Sequence, residues 1–339
     1  RQVGVELRLV GLQRWVVHTC CGHMGAEQGV ERRVVDLDRD GWDDFYVTAR
    51  WGRNQFWHNR GDGTFEEIAG KLGIDLDGMC NAAVFADFDN DGDDDLFVGR
   101  SIERSRYFRN EGGRFIDAST THIAIDLPHW TSAVSCADYN GDGLLDVYLS
   151  TYRLPITRPR ELLSRQFLTP EQQVEWKKRR IADHPVFRLT GPPNVLLVNR
   201  GDGRFELAPE AKEVEAWLSA FQGTWSDFDN DGDPDLFIAN DVSANFLFKN
   251  DGKGRFEEIG LLSGTAFKNN GDPSASMGVD CGDFDNDGRA DFAAGNLGRN
   301  SPMEPYCDAP VHLGRGGGAR RSPVALQGGA GFVPVGVLE

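Results

Sequence analysis

Residues 87–95 read Asp-Phe-Asp-Asn-Asp-Gly-Asp-Asp-Asp, and this stretch decides the fold because its pattern recurs along the chain. The pattern Asp-x-Asp-x-Asp-Gly-x-x-Asp is also found at residues 36–44, 138–146, 227–235 and 283–291. In the third copy Asn140 replaces the second aspartate and keeps a side-chain oxygen at that place. Oxygen atoms at alternating positions allow a short loop to surround a hard cation.

The spacing within each copy fits calcium. Positions 1, 3 and 5 direct carboxylates to one centre, position 7 offers a backbone carbonyl, and position 9 completes a shell of six to eight oxygens. Glycine at position 6 takes the sharp bend, since it has no Cβ to clash in a left-handed conformation. The sequence therefore predicts about five bound Ca²⁺ ions, one for each copy. The predicted ligands are Asp36, Asp38, Asp40, Trp42, Asp44, Asp87, Asp89, Asp91, Asp93, Asp95, Asp138, Asn140, Asp142, Leu144, Asp146, Asp227, Asp229, Asp231, Asp233, Asp235, Asp283, Asp285, Asp287, Arg289 and Asp291.

Three alternative interpretations explain the loops less well. Simple polar Asp/Gly turns would account for one copy, but not for five in the same register. Magnesium retains several waters and requires a stricter octahedron. An EF-hand loop has twelve residues, a closing glutamate and a helix on each side. The variety of side chains at position 7 also favours a main-chain carbonyl ligand there.

Composition limits the classes of partner. The chain has 339 residues and a formal net charge of -17, and the five loops alone contain 23 aspartates and two arginines. The acidity therefore belongs to the loops. No basic stripe with interleaved aromatic residues is present, which argues against nucleic acid. No apolar run of about 18 residues occurs, so no transmembrane helix is expected. Arginine far exceeds lysine, which is typical of a GC-rich bacterial source.

The segment after each loop predicts strands. In the first copy, alternating residues from Asp44 to Ala49 and from Asn54 to Asn59 predict two strands, and residues 64–68 predict a third after a Gly-rich turn. With the apolar strand before Asp36, this makes four strands in about fifty residues, which is one β-propeller blade. We therefore predict an all-β fold, with residues 1–339 forming one calcium-binding propeller.

One blade contains an insertion. The distance from the first loop aspartate to the hairpin phenylalanine is 29 residues in the first copy (Asp36 to Phe65), but 67 in the third (Asp138 to Phe205). We place a helical insertion at residues 153–192 of this third blade. Thr169, Pro170 and Gln172 form a helix start, with Thr as N-cap, Pro in the first turn and Gln three residues on. The helix is expected to run from Glu171 to Asp183.

The number of blades depends on the termini. Alternation in residues 3–10 and 14–18 predicts two strands ahead of the first loop, and residues 331–339 are the candidate to join them and close the ring. Five blades and one shared by the termini make six. Seven blades result if the tail or the insertion adds further strands.

The sequence leaves the state of some cysteines open. Cys136 and Cys281 precede a loop by two residues and are expected to be core thiols. The pair Cys20 and Cys21 lies between two histidines, but its spacing is tighter than in standard zinc motifs. A disulfide from this pair to Cys80 or Cys307 stays open, because connectivity cannot be read from sequence.

Ligand-binding residues are expected on the face opposite the calcium loops. Alternating strand direction places the connections between strands two and three, and between blades, on that face. Loops on a rigid scaffold commonly carry function, and arginine offers paired donors to planar oxyanions. The predicted ligand-binding residues are Arg50, Arg100, Trp130, Arg153 and Asp241. The alternative is that the arginines are solvated loop charges.

Catalytic residues are harder to assign. His23, Glu27 and His129 are the candidates for an acid or base on the same face. A loop histidine is, however, more commonly a structural hydrogen-bonding group. No Ser-His-Asp set, Gly-rich phosphate loop or Cys-His pair can be assigned from the spacing.

Several motifs together carry a family resemblance. Asp-Phe-Asp-Asn-Asp-Gly begins at Asp87, Asp227 and Asp283; the patterns Asn-x-Leu-Phe-x-Asn and Gly-Asp-Gly-x-Phe occur, in full or in part, within residues 194–205 and 245–256. Gly-Pro-Pro-Asn follows the insertion. The repeats resemble the FG-GAP and VCBS repeats of integrin alpha-chain propellers and, more closely, the ASPIC/UnbV-associated propellers of the cartilage-acidic-protein type. This resemblance covers roughly residues 29–300. No clear ASPIC/UnbV segment follows, and the last blade is irregular.

The resemblance implies calcium-stabilised blades and says little about activity, because members are described mostly as binding or adhesion modules. We therefore expect a recognition module that binds a protein or a small anionic ligand. The alternative is an enzyme of bacterial natural-product biosynthesis, for example a cyclase, with its site among the same loops. Calcium supply favours an extracellular or periplasmic location, whereas a biosynthetic role would favour the cytoplasm.

Overall fold

The structure is a computed structural model that describes residues 30–152, 168–181, 191–241, 243–267, 273–274, 276–284 and 290–296. The strands predicted before residue 30 and at residues 331–339 lie outside this part of the chain, and so do His23, Glu27, Arg153, Asp285, Asp287 and Arg289.

Four antiparallel sheets of four strands follow one another along the chain, and a pair of strands comes after them. The first sheet contains β1 (Val30–Val35), β2 (Asp44–Ala49), β3 (Gln55–Asn59) and β4 (Phe65–Glu67). The second contains β5 (Cys80–Ala86), β6 (Asp95–Arg100), β7 (Arg106–Asn110) and β8 (Phe115–Asp117). The third contains β9 (Thr131–Ala137), β10 (Asp146–Thr151), β11 (Val195–Asn199) and β12 (Phe205–Leu207). The fourth contains β13 (Ala220–Ser226), β14 (Asp235–Asn240), β15 (Phe246–Asn250) and β16 (Phe256–Glu258), and the pair is β17 (Ser276–Gly282) with β18 (Asp291–Asn296).

The nine-residue loops are the turns between the first and second strands of each sheet. The residue before each loop's first aspartate pairs with its closing aspartate, as in Ala86 with Asp95 and Ala137 with Asp146. The second turn repeats as well, because the third-strand asparagine pairs with the hairpin phenylalanine, as in Asn110 with Phe115. Both turns of a sheet therefore lie on one face.

The hydrophobic core lies between successive sheets. One cluster joins the first and second sheets through residues such as Tyr46, Phe56 and Leu96, and three further clusters repeat this arrangement along the chain. The second strands β6, β10 and β14 are buried along their whole length because a sheet covers each side. First strands of neighbouring sheets lie next to each other. These features are those of a β-propeller, so the predicted all-β propeller of four-stranded blades is confirmed. The total of six blades stays a prediction.

Side chains also join neighbouring blades near the first strands. Asn81 Nδ2 donates to the Thr131 carbonyl at 2.9 Å, and Ser132 Oγ donates to the Ala220 carbonyl at 2.7 Å. Gln222 bonds the backbone of Val279 through both its amide nitrogen and its oxygen. Because these partners belong to successive blades, the bonds fix the angle between blades as well as the contact.

Joints of another kind occur on the loop face. Asn199 Nδ2 donates to the Phe88 carbonyl at 2.7 Å, and Asn250 Nδ2 donates to the Tyr139 carbonyl at 2.6 Å. Phe88 and Tyr139 are the second residues of their loops. Each of these loops is therefore bonded to the third strand of the next blade.

Three helices are described: α1 (Ala69–Leu72), α2 (Pro170–Ile181) and α3 (Gly260–Ser263). Helix α2 lies between the second and third strands of the third sheet. Gln172 N donates to Thr169 Oγ1 at 3.2 Å and Thr169 N donates to Gln172 Oε1 at 3.0 Å, which confirms the predicted helix start. Trp176 packs with Leu168 and Trp217, so the helix contacts the segment that leads into the fourth blade.

Candidate metal centres

The first aspartate of each fully described loop holds the turn in place. Its Oδ2 accepts the N–H of the glycine at position 6, at 2.8 to 3.0 Å in all four loops. The four glycines have φ between 84° and 99°, a conformation that favours a residue without Cβ. The glycine prediction is therefore confirmed for Gly41, Gly92, Gly143 and Gly232.

The turn brings the alternating carboxylates together. Ligand oxygens from Asp36, Asp38 and Asp40 all lie within 4.8 Å of one another, and so do those from Asp87, Asp89 and Asp91. In the fourth loop the corresponding group is Asp227, Asp229 and Asp235. Carboxylates this close repel each other unless a positive charge lies among them.

The aspartate at loop position 5 is held by the residue that follows the glycine. The backbone N–H groups of Trp42, Asp93, Leu144 and Asp233 donate to position 5 at 2.8 to 3.2 Å. Since this bond uses only the backbone, any side chain is tolerated at position 7. The observed variety from Trp to Leu at that position has this physical reason.

The closing aspartate is buried and connects the loop with the third strand. One oxygen of Asp44, Asp95, Asp146 and Asp235 accepts the N–H of the third-strand asparagine at 2.7 to 2.8 Å. The second oxygen of Asp95 accepts the Tyr107 hydroxyl at 2.9 Å. Asp291 is also buried, and its Oδ2 accepts the N–H of Phe284 at 2.9 Å.

Burial raises the pKa of these closing carboxyl groups. The pKa of Asp95, Asp146 and Asp235 rises to about 7 in each case, because desolvation disfavours the charged form. The hydrogen bond from the asparagine N–H offsets this only in part. The pKa of Asp44 is raised for the same reason. A cation next to these groups would favour their charged form.

The donor set fits a hard cation. Asp36 Oδ1 is buried and accepts no hydrogen bond from the part of the chain that the structure describes. A buried oxygen without a donor is costly, and a cation would relieve that cost. The converging donors of the second and fourth loops are carboxylate oxygens, which suit calcium better than a softer metal. In the fifth loop Asp283 and Asp291 are described, whereas Asp285, Asp287 and Arg289 are not.

The opposite face contains most of the predicted ligand-binding residues, but its cations are largely paired. Arg53 contacts Asp75, and Arg104 contacts Asp126. Arg100 is only 4% exposed, contacts Glu103, and donates to the Asp77 carbonyl at 2.6 Å. Arg100 therefore lies below the surface rather than on a cationic rim. Arg50 is half-buried on the same face.

The remaining predicted residues of this face have backbone or aromatic neighbours. His129 Nδ1 hydrogen-bonds with the Ile102 carbonyl at 2.8 Å, and burial lowers its pKa. Trp130 has φ of 63°, which is rare for a bulky residue. Asp241 accepts the Tyr152 hydroxyl. Among the described candidates, His129 thus has the contacts of a structural histidine.

Sequence reasoning missed the residues that flank the loops from the third strand. His58 Nδ1 lies 3.1 Å from Asp44 Oδ1 and joins Asp38 and Asp44 in a candidate metal group. Arg109 contacts Asp89, and Lys249 contacts Asp229. The available signal was their shared position, since each directly precedes the asparagine of the third strand.

The same repeats match a family of known proteins. The sequence model of the FG-GAP-like repeat family matches residues 36–98, 87–149 and 227–294, together more than half of the chain. Cartilage acidic protein 1 of Xenopus tropicalis is 33% identical over 119 residues, which are 33% of this chain and 18% of that protein. Cartilage acidic protein 1 of Homo sapiens is 25% identical over 205 residues, 59% of this chain and 26% of that protein. The chain thus matches about a fifth to a quarter of the length of these curated relatives.

Among solved structures, an Agrocybe aegerita lectin described as recognising non-reducing terminal N-acetylglucosamine has a TM-score of 0.45 at 15% identity. The match covers 78% of this chain and 60% of the lectin.

Within the described residues, none of the helices has the length and apolar character needed to span a membrane.

Proposed function

Because the chain belongs to the family of FG-GAP-like repeat proteins, we propose that it is a calcium-stabilised propeller whose face opposite the calcium loops recognises another molecule. The observation that carries the calcium part is the repeated convergence of loop carboxylates, with the buried and unbonded Asp36 Oδ1 at one of the sites. Oxygen donors in a flexible loop are what calcium requires.

Calcium would supply positive charge where the chain has crowded carboxylates. Positions 1, 3 and 5 of each loop would hold the ion, and the buried closing aspartate would tie it to the third strand through the asparagine N–H. The proposed ions, one for each of the five motifs, would therefore fix the two turns of each blade relative to each other. We assign them a structural role.

Mixed charge on the opposite face favours a protein partner over a small anion. Arg53 pairs with Asp75 and Arg104 pairs with Asp126, so the described part of this face presents ion pairs at its surface. Trp51 is 69% exposed on the same face, and exposed aromatic residues are enriched in protein interfaces. A partner with complementary charges and an apolar contact for Trp51 fits this surface.

A calcium-stabilised protein is best suited to a compartment rich in calcium, so we propose an extracellular or periplasmic location. Cell fractionation with a periplasmic and a cytoplasmic marker tests this part. Recovery of the protein with the cytoplasmic marker alone would contradict it.

Calorimetric titration tests the calcium sites. The purified chain, freed of metal by a chelating resin, is titrated with CaCl₂ and separately with MgCl₂. We expect binding heat with calcium at several equivalents and weak heat with magnesium. As a matched pair, Asp89→Asn removes a converging carboxylate, whereas Asp62→Asn changes an exposed hairpin aspartate outside the loops. Equal stoichiometry in the two variants, or no calcium heat in the parent chain, would contradict the proposal.

Crosslinking with an extract of the source organism tests the recognition face. Trp51→Ala and Arg104→Ala change exposed residues of that face, and Arg60→Ala changes an exposed arginine of the loop face. We expect the first two variants to lose a specific crosslinked partner that the parent and Arg60→Ala retain. Retention of the same partner by all variants would contradict recognition at this face.

A further inference from the structure

The residue before the third-strand asparagine lies against the loop of its own blade. In the second blade this residue is Arg109, whose Nε donates to Asp89 Oδ2 at 3.0 Å while Nη2 contacts the same oxygen. The Asp89 side chain is 3% exposed and its other oxygen accepts the N–H of Asp91 at 3.2 Å. In the fourth blade it is Lys249, whose Nζ contacts Asp229 and lies 3.2 Å from Asp231 Oδ2.

These two cations contact loops that are rich in carboxylates. The loop at residues 87–95 contains six aspartates and the loop at residues 227–235 contains five, whereas the loop at residues 138–146 contains three. In the third blade the equivalent residue is Val198, which is buried in the core between blades. The loop at residues 36–44 also contains five aspartates, and its equivalent residue is His58. An arginine or lysine is therefore present beside two of the three crowded loops, and an apolar residue beside the sparse loop.

Electrostatics gives this pattern a consequence for the metal. Arg109 and Lys249 each bring one positive charge to the third loop position, which is a proposed calcium ligand. The charge lowers the repulsion among the carboxylates when no ion is bound, and it opposes the approach of a second cation. A unit charge about 5 Å from an ion changes its affinity by on the order of tenfold, less at high salt.

We propose that Arg109 and Lys249 are built-in counterions, which keep the second and fourth loops formed when calcium is scarce and lower the calcium affinity of those loops. This inference rests on the proposed calcium binding. It adds to that function the residues that set the calcium affinity of individual loops.

Thermal unfolding of matched variants, in chelator and in saturating calcium, tests the proposal. Arg109→Met and Lys249→Met remove the charge and keep an unbranched side chain, and Arg109→Lys keeps the charge. Arg60→Met is the control, because Arg60 belongs to a third-to-fourth-strand hairpin and pairs with Glu66 instead of a loop carboxylate.

We expect the two charge-removing variants to unfold at a lower temperature in chelator than the parent chain. We also expect calcium to raise their unfolding temperature by more than it raises that of the parent chain. Titration should show tighter calcium binding, by on the order of tenfold at one site. Arg109→Lys should behave like the parent.

Three outcomes would overturn the inference. A smaller gain from calcium in Arg109→Met would show that the guanidinium orients the ligand instead of competing with the ion. An equal loss in chelator and in calcium would show a packing role alone. In chelator, no greater loss than in Arg60→Met would show that the charge is not a counterion, whether or not calcium binds. Absence of any calcium effect in the parent chain would instead overturn the proposed function.

Discussion

On the loop face, all four fully described nine-residue loops repeat the same hydrogen bonds from blade to blade, whereas on the opposite face contacts recur in only some of the blades. Gly41, Gly92, Gly143 and Gly232 all donate to the first aspartate of their loop. Across the molecule, the ion pair of Arg53 with Asp75 recurs one blade later as Arg104 with Asp126, and the third blade instead has helix α2 between its second and third strands. We infer that the loop face, which repeats in every fully described blade, secures the fold, and that the other face varies more from blade to blade.

Removing calcium should have the largest effect, because it acts on every loop at once. Each site saturated at about 100 times its dissociation constant adds about 2.7 kcal/mol to the free energy of unfolding. We expect the melting temperature to fall by at least about 10 °C in chelator, since about 2–4 °C accompanies each kcal/mol in a chain of this size class. Differential scanning calorimetry measures it, with magnesium as the control ion. An unchanged melting temperature would show that bound calcium does not stabilise the loop face.

Loss of a single closing aspartate should have the next largest effect. Asp146→Ala leaves the buried backbone N–H groups of Asn199 and Tyr139 without their acceptor. We expect the free energy of unfolding in saturating calcium to fall by about 3 kcal/mol. Urea titration measures it. Asp62→Ala, on the same face but exposed, should cost less than about 1 kcal/mol, and a similar cost for both would contradict the role given to the closing position.

A smaller effect should appear with pH in the ion-free protein. The pKa of Asp95, Asp146 and Asp235 is about 7 in the folded chain, against about 3.9 when unfolded. Their stabilising contribution is therefore fully present below about pH 4 and is lost as the pH rises through about 7. We expect metal-free protein to melt at a higher temperature at pH 5.5 than at pH 7.5. Saturating calcium should flatten this trend, and Asp95→Asn should reduce it.

The smallest effect on stability should come from the opposite face. Trp51 is exposed and Arg104 forms an ion pair that is open to solvent, so Trp51→Ala and Arg104→Ala should change the free energy of unfolding by less than about 0.5 kcal/mol. Urea titration of both variants beside Asp146→Ala provides the comparison. A loss of several kcal/mol in either variant would show that this face also secures the fold.

The sequence was sufficient to predict the features of the fold that recur in each blade. The loop pattern and the glycine spacing predicted the turns, the strand pairing around them and the propeller, because identical local chemistry in several copies has one local solution. The start of helix α2 was also predicted, since Thr169 and Gln172 interact over a distance of three residues. The ions themselves and the total number of blades stay predictions.

Contacts that depend on packing could not be predicted. Arg100 was expected at the surface, yet the chain around Asp77 and Glu103 encloses it. The position of Arg109 beside Asp89 follows from how β7 lies against the loop, with 20 residues separating the two in sequence. The sequence shows only the shared position of Arg109 and Lys249 before the third-strand asparagine, and their contact with the loop follows once the pairing of the strands is known.

The bonds from Asn199 to Phe88 and from Asn250 to Tyr139 have a consequence for how such a chain can grow. One repeat unit contains both halves of the joint: a donor directed at its predecessor and an acceptor offered to its successor. A tandem duplication of the gene segment would thus supply a new blade already equipped to attach at both ends. Addition of a whole unit thus preserves the donor and the acceptor of each joint, whereas an insertion of part of a unit would separate a donor from its acceptor.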